Sequence, residues 1–214
     1  GDLNGDGFTD IVFGEFGLAN TVHLSDGEGG LSGGTAIGGE ANETFAVNLA
    51  DVTGNGNLDL VEGSQQQVTR IYPGNGNGGF TAASSVGDSS NANTTVALAV
   101  ADLDRDNDLD IIEGNNLTSK RLFLNNGNGS FSNAVSGAFP AETDRTYGLV
   151  TADFDRDGII DVAAGHQDTG NTLYDFDGDE TSDQVQQLFS VAQSLRVDTG
   201  APPEIVSIRL SATD

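Results

Sequence analysis

Apolar residues along this chain come in short runs separated by glycine, asparagine and aspartate, and the same order of runs returns four times. Within one period a β-rich run (46–50, 96–101 and 147–152) precedes an acidic segment, and an apolar pair with a glycine two residues later follows it. A third run (21–24, 69–72, 121–124 and 172–174) leads into a Gly-rich turn, and a fourth starts at Leu31, Phe80 and Phe131. Asn-Gly or Asp-Gly between two such runs tolerates the φ > 0 of a hairpin. Helical periodicity is confined to a weak stretch at 182–193. The acidic segments start at Asp2, Asp51, Asp102 and Asp153, spaced 49, 51 and 51 residues apart, and the turns starting at Asp26, Asn75, Asn126 and Asp177 keep those spacings. Two markers in one phase predict four copies of one unit. Four short strands per copy predict an all-β fold, a β-propeller of four four-stranded blades over 1–187, either small and complete or part of a larger one.

The acidic segments are nine residues long, and they hold fourteen of the 24 aspartates. Positions 1, 3, 5 and 9 carry oxygen-bearing side chains in every copy. They are Asp2, Asn4, Asp6 and Asp10 in the first loop, and Asp51, Thr53, Asn55 and Asp59 in the second. In the third they are Asp102, Asp104, Asp106 and Asp110, and in the fourth Asp153, Asp155, Asp157 and Asp161. Alternate spacing on a tightly curved loop points such side chains at one centre, and position 7 adds a backbone carbonyl from Phe8, Asn57, Asp108 or Ile159. Gly7, Gly56 and Gly158 at position 6 permit the sharp turn, with Asn107 as their substitute. Six hard oxygens without histidine or thiolate select Ca²⁺ over zinc or copper, and Mg²⁺ holds its waters too firmly. Three to four calcium ions are expected, the second loop being the poorest in carboxylate. The third loop packs five carboxylates into nine residues, each close pair costing ~1 kcal/mol even in water, so it calls for a cation.

Loop, apolar pair, glycine and the NxGxGxF-like turn together resemble the integrin-type FG-GAP repeat and its bacterial relative, the VCBS-like repeat, over residues 2–183. Phe13-Gly14 and Phe16-Gly17 alone carry the name motif, so the likeness is greater to the bacterial branch. The resemblance implies an extracellular propeller whose blades hold calcium in the loop after their first strand. Integrin propellers have seven blades, against four counted here.

Composition narrows the function. The formal charge is −25 with Lys120 as the one lysine, which argues against nucleic acid and against anionic membrane surfaces. No apolar run is long enough to span a bilayer, and the absence of cysteine excludes disulfides and thiolate sites. Gly74-x-Gly76-x-x-Gly79 matches a dinucleotide-binding fingerprint but is followed by Phe80-Thr81 rather than a helix, and it reads as a hairpin. Asp175, Asp177, Asp179 and Asp183 read as a decorated turn, because Glu180 stands where a calcium loop needs glycine. His23 and His166 lack a matching nucleophile and read as structural. At the C-terminus, 188–197 and 205–212 are strand-like around Pro202-Pro203. They are expected to close the first blade, to exchange with another chain, or to lead into a following domain. The expected function is an extracellular or cell-surface calcium-binding module for adhesion, surface structure or ligand binding, not an enzyme. Its partner is a protein or glycan outside the cell. The alternatives are a carbohydrate-active module, lectin-like or the propeller part of a lyase or hydrolase, and a self-assembling subunit of a surface filament or layer.

Overall fold

The computed structural model describes residues 1–88, 92–167 and 170–176, and the backbone of 182–187. The first period holds β1 (Ile11–Phe13), β2 (Phe16–Leu18), β3 (Thr21–His23) and β4 (Thr35–Ala36). The second holds β5 (Asn42–Ala50), β6 (Asp59–Ser64), β7 (Arg70–Tyr72) and β8 (Ser84–Ser85). The third holds β9 (Thr95–Ala101), β10 (Asp110–Asn115) and β11 (Arg121–Phe123); the fourth holds β12 (Thr146–Ala152), β13 (Asp161–His166), β14 (Thr172–Phe176) and β15 (Ser182–Gln187). They form four antiparallel sheets, β1-β3-β4, β2-β5-β6-β7-β8, β9-β10-β11 and β12-β13-β14-β15, with no helix among the described residues.

The sheets repeat their register. The first residue of each apolar pair faces the same place on the next strand: Ile11 opposite His23, Leu60 opposite Tyr72, Ile111 opposite Phe123 and Val162 opposite Tyr174. Because successive side chains leave opposite faces of a strand, the pair divides between two cores. Leu60 packs with Leu3, Val22, Ile37 and Tyr72, whereas Val61 packs with Val52, Ile71, Ile111 and Phe123. Ile112 joins Leu103, Leu122, Phe139, Val162 and Tyr174 in the third core. Each core therefore lies between consecutive sheets, and β6 and β10, at the middle of the second and third sheets, are buried on both faces. The motif glycine after the pair serves the same packing. A Cβ on Gly14, Gly63 or Gly114 would come within 2.8–2.9 Å of the methyl of Thr44, Thr95 or Thr146 in the following unit.

Polar ties cross the same interfaces. Asn20 donates to Glu62 Oε2 at 2.9 Å, and Thr69, at the same place one unit later, donates to Glu113 Oε1 at 2.6 Å. Asn42 and Ser64 complete the Glu62 site at 2.9 and 2.6 Å. In the last interface the partner position is Ala164, and Lys120 instead pairs with Glu142, which also accepts from Tyr174 Oη at 2.8 Å. Lys120 lies 4.7 Å from the Tyr174 ring centroid, so the ammonium is closed in by a carboxylate and an aromatic face.

Some elements differ from the sequence reading. The Gly-rich turns are wider than a two-residue hairpin: bridges join Ser25 to Leu31, Gly74 to Phe80 and Asn125 to Phe131. Side-chain oxygens of Asp26 and Asn75 fill these loops by accepting backbone N–H groups, which is why they begin with Asp or Asn. Gly74 through Phe80 is indeed a hairpin, not a phosphate loop. Residues 182–187 form a strand paired with β14, not a helix, since the ladder from Tyr174–Val185 to Thr172–Gln187 supplies the backbone partners. The decorated turn at 177–181, and the strand-like runs 188–197 and 205–212, lie outside the described residues.

Candidate metal centres

Each acidic loop leaves the strand edge and returns to it over nine residues, and its curvature comes from two left-handed residues rather than one. Positions 4 and 6 both have positive φ: Gly5 and Gly7, Gly54 and Gly56, Arg105 and Asn107, Arg156 and Gly158. Position 6 was legible from its glycines. Position 4 was not, because arginine occupies it twice. Alternating left-handed residues bring the side chains at 1 and 3 together in the third and fourth loops. Carboxylate or amide oxygens at 3 and 5 then cap the backbone two residues on, as Asp104 does for Asp106 and Asp106 for Asp108, at 3.2 and 2.8 Å. The fourth loop repeats this with Asp155 and Asp157 at 3.0 and 2.7 Å, and the first with Asn4 and Asp6 at 3.1 and 2.8 Å. Asn55 caps Asn57 at 2.7 Å in the second.

Position 9 does more than was expected of it. Asp10, Asp59, Asp110 and Asp161 are all buried. One oxygen accepts the amide of the second loop residue, from Leu3, Val52, Leu103 or Phe154, at 2.8–3.0 Å. The other accepts an amide beyond the third strand, from Ser25, Gly74, Asn125 or, in the fourth unit, Phe176, at 2.8–3.2 Å. This aspartate pins the loop to its own sheet. The hairpin of the next unit pins it from outside: Asn125 Nδ2 donates to the Val52 carbonyl at 2.8 Å, and Gly78 N to that of Leu3 at 2.8 Å.

Two loops bring three carboxylates together. Oxygens of Asp102, Asp104 and Asp110 lie within 4.8 Å of one another, as do those of Asp153, Asp155 and Asp161. Asp106 and Asp157 stand outside these groups. The first loop offers an amide, Asn4, at position 3, and the second has only Asp51 and Asp59 as acids. Asp2 and Asp51 accept two loop amides each, from Gly5 and Gly7 and from Asn55 and Gly56. The Gly7 amide, ahead of the others, lowers the Asp2 pKa. In the third loop the sign reverses: partial desolvation raises Asp104 from its ordinary value, and burial pushes Asp110 up to about 6. Asp102 Oδ1 and Thr53 Oγ1 are buried there and in the second loop without a partner. Buried oxygens lacking a donor, beside carboxylates short of counter-charge, fit a hard divalent cation.

Comparison with known proteins agrees on the repeat. The model of the FG-GAP-like repeat matches residues 2–62, 62–113 and 114–164. No curated protein matches the sequence. Among solved structures, a lectin from Agrocybe aegerita, described for its specific recognition of non-reducing terminal N-acetylglucosamine, is 26% identical. It covers 88% of this chain and 51% of its own, with a TM-score of 0.62. The Photorhabdus luminescens Tc holotoxin pore is 21% identical over 85% of this chain and 9% of its own, TM-score 0.52. The V. cholerae biofilm matrix protein Bap1 is 16% identical over 87% and 27%, TM-score 0.53. These last two likenesses are of fold. The chain spans about half the length of the lectin, and less of the others.

Proposed function

Since the chain belongs to the FG-GAP-like repeat family, we propose that it is a calcium-stabilised β-propeller module that binds a protein or glycan ligand outside the cell. The observation that carries this reading is the third loop, where Asp102, Asp104 and Asp110 converge around an unpartnered buried oxygen of Asp102. Asp102, Asp104 and Asp110 hold one ion, and Asp153, Asp155 and Asp161 a second. The first two loops complete a set of three to four with Asn4, Asp6 and Thr53 among their donors. The ion fixes the loop between two strands and neutralises its acids. Millimolar calcium outside cells suits loop sites of this openness. No helix among the described residues is long and apolar enough to cross a membrane. The module binds its ligand without transforming it, and the likeness to a lectin favours glycan as the second reading of that ligand. The surface-filament alternative turns on residues 198–214, which lie outside the described residues.

Thermal melts in millimolar Ca²⁺ and in excess EGTA test the proposal. A site filled at about ten times its Kd adds about 1.4 kcal/mol, so three or four raise Tm on the order of 10 °C. Identical melts would overturn calcium as the ligand of these loops.

A further inference from the structure

The three inner strands β5, β9 and β12 each break register once, and always at the same point of the repeat. Pairing passes from Thr44–Ser64 to Ala46–Gly63, from Thr95–Asn115 to Ala97–Gly114, and from Thr146–His166 to Gly148–Gly165. The residues left unpaired are Phe45, Val96 and Tyr147. A bulge re-aims the side chain it carries, and these three are turned out of the inter-sheet cores into one cleft of about 500 Å³. That volume falls in the roughly 300–1,000 Å³ range of small-molecule sites.

The lining has a definite chemistry. Phe45 and Tyr147 keep 46% and 58% of their surface exposed, and Phe16 sets the Phe45 ring edge-on at 5.6 Å. Between them stand Gln65, Gln66, Thr94 and Asn116, and no charged side chain lines the cleft. Asn116 Oδ1 is buried without a hydrogen-bond partner. Gln66 and Leu117, at matching places in two units, hold positive φ without being glycine, a strain of the kind stored around binding sites.

We propose that this cleft binds a neutral saccharide. The proposal rests on the reading of the chain as a binding module and names its ligand class. Two half-exposed aromatic rings suit the apolar C–H face of a pyranose, and the amides and hydroxyl that line the cleft with them suit its hydroxyl edge. An uncharged lining offers a cationic ligand no carboxylate. The surrounding charge of −25 repels an acidic sugar.

The test is titration of the whole chain, in calcium, with neutral trisaccharides of glucose, of mannose and of N-acetylglucosamine, read by calorimetry and tyrosine emission. The chain lacks tryptophan, and Tyr72 and Tyr174 are buried, so an emission change reports Tyr147. At least one trisaccharide is expected to bind with such a change. Affinity should fall roughly tenfold in Tyr147→Ala and in Phe45→Ala, while Tyr147→Phe, which keeps the ring, and Val47→Ala on the same strand outside the cleft stay near wild type. Melting temperatures of all four variants, measured in parallel, separate lost binding from lost folding. Binding that survives both alanine variants overturns this cleft as the site and leaves the binding module standing. Failure of all three sugars overturns the saccharide assignment, while the calcium melt decides the scaffold independently.

Discussion

Asp59 accepts three amides with its two oxygens, from Val52 and Thr53 on one side and Gly74 on the other, and it is fully buried. Asp104 is exposed and caps one amide, that of Asp106. The two therefore separate bracing from ligation. Asp59→Asn puts an N–H₂ against a backbone N–H and is expected to cost about 2–3 kcal/mol with or without calcium. Asp104→Asn, which removes one of the crowded like charges, should raise the EGTA melt slightly and shrink the increment that calcium adds. Equal calcium increments in Asp104→Asn and wild type would remove Asp104 from the ligand set. At this scale the loops were readable, because oxygen side chains at alternate positions are a local pattern. The brace was hidden: a ninth-position aspartate looks the same in sequence whether it faces an ion or the amides across its sheet. Arg105 and Arg156 were hidden too, since nothing in an arginine announces a left-handed backbone, and here the neighbouring caps impose it at a cost of about 1–2 kcal/mol per residue.

The strands flanking each acidic loop followed from alternation and keep one register. The predicted fourth run, however, shrinks to the two-residue β4 and β8 and forms no strand in the third unit among the described residues, so the sheets hold three, five, three and four strands. What alternation does not encode is which neighbour a polar core residue meets. Glu113 lies buried on β10, accepts the Thr69 hydroxyl with one oxygen, and leaves the other buried without a partner. Burial, ahead of every other influence, raises its pKa above the usual 4.5. A carboxyl group with a raised folded-state pKa contributes stability that is complete below the unfolded value and lost as pH rises through the folded one. Glu113→Gln removes that titration. Its stability relative to wild type should therefore rise as pH climbs above 4.5, as read by paired melts. A difference that is flat over this window would show that Glu113 does not titrate with folding. The bulges at Phe45, Val96 and Tyr147 escaped the sequence reading for a related reason. One extra residue inside an apolar run leaves the run intact, and only the partner strand reveals it.

For the whole molecule, charge and repetition act together. Four divalent ions would bring the formal charge from −25 to −17, and they would act where fourteen of the 33 acids are gathered, in the four loops. In EGTA the Tm is expected to climb as sodium chloride screens the loops, and in calcium the same salt series should be flatter. Parallel salt slopes in the two conditions would count against local neutralisation. The ties between sheets carry a further consequence. Asn20 serves Glu62, Thr69 serves Glu113, and Lys120, whose counterpart position in the next unit is Ala164, pairs with Glu142. Donor and acceptor are thus matched across each junction, like the cut edges of successive tickets torn from one roll. Units that share a backbone are not interchangeable parts: moving the fourth behind the second would set Thr69 against an alanine, and moving the third behind itself would set Lys120 against Glu113. The copies are in this way ordered by their joints, so a recombined chain keeps every acidic loop and still loses its sequence of neighbours.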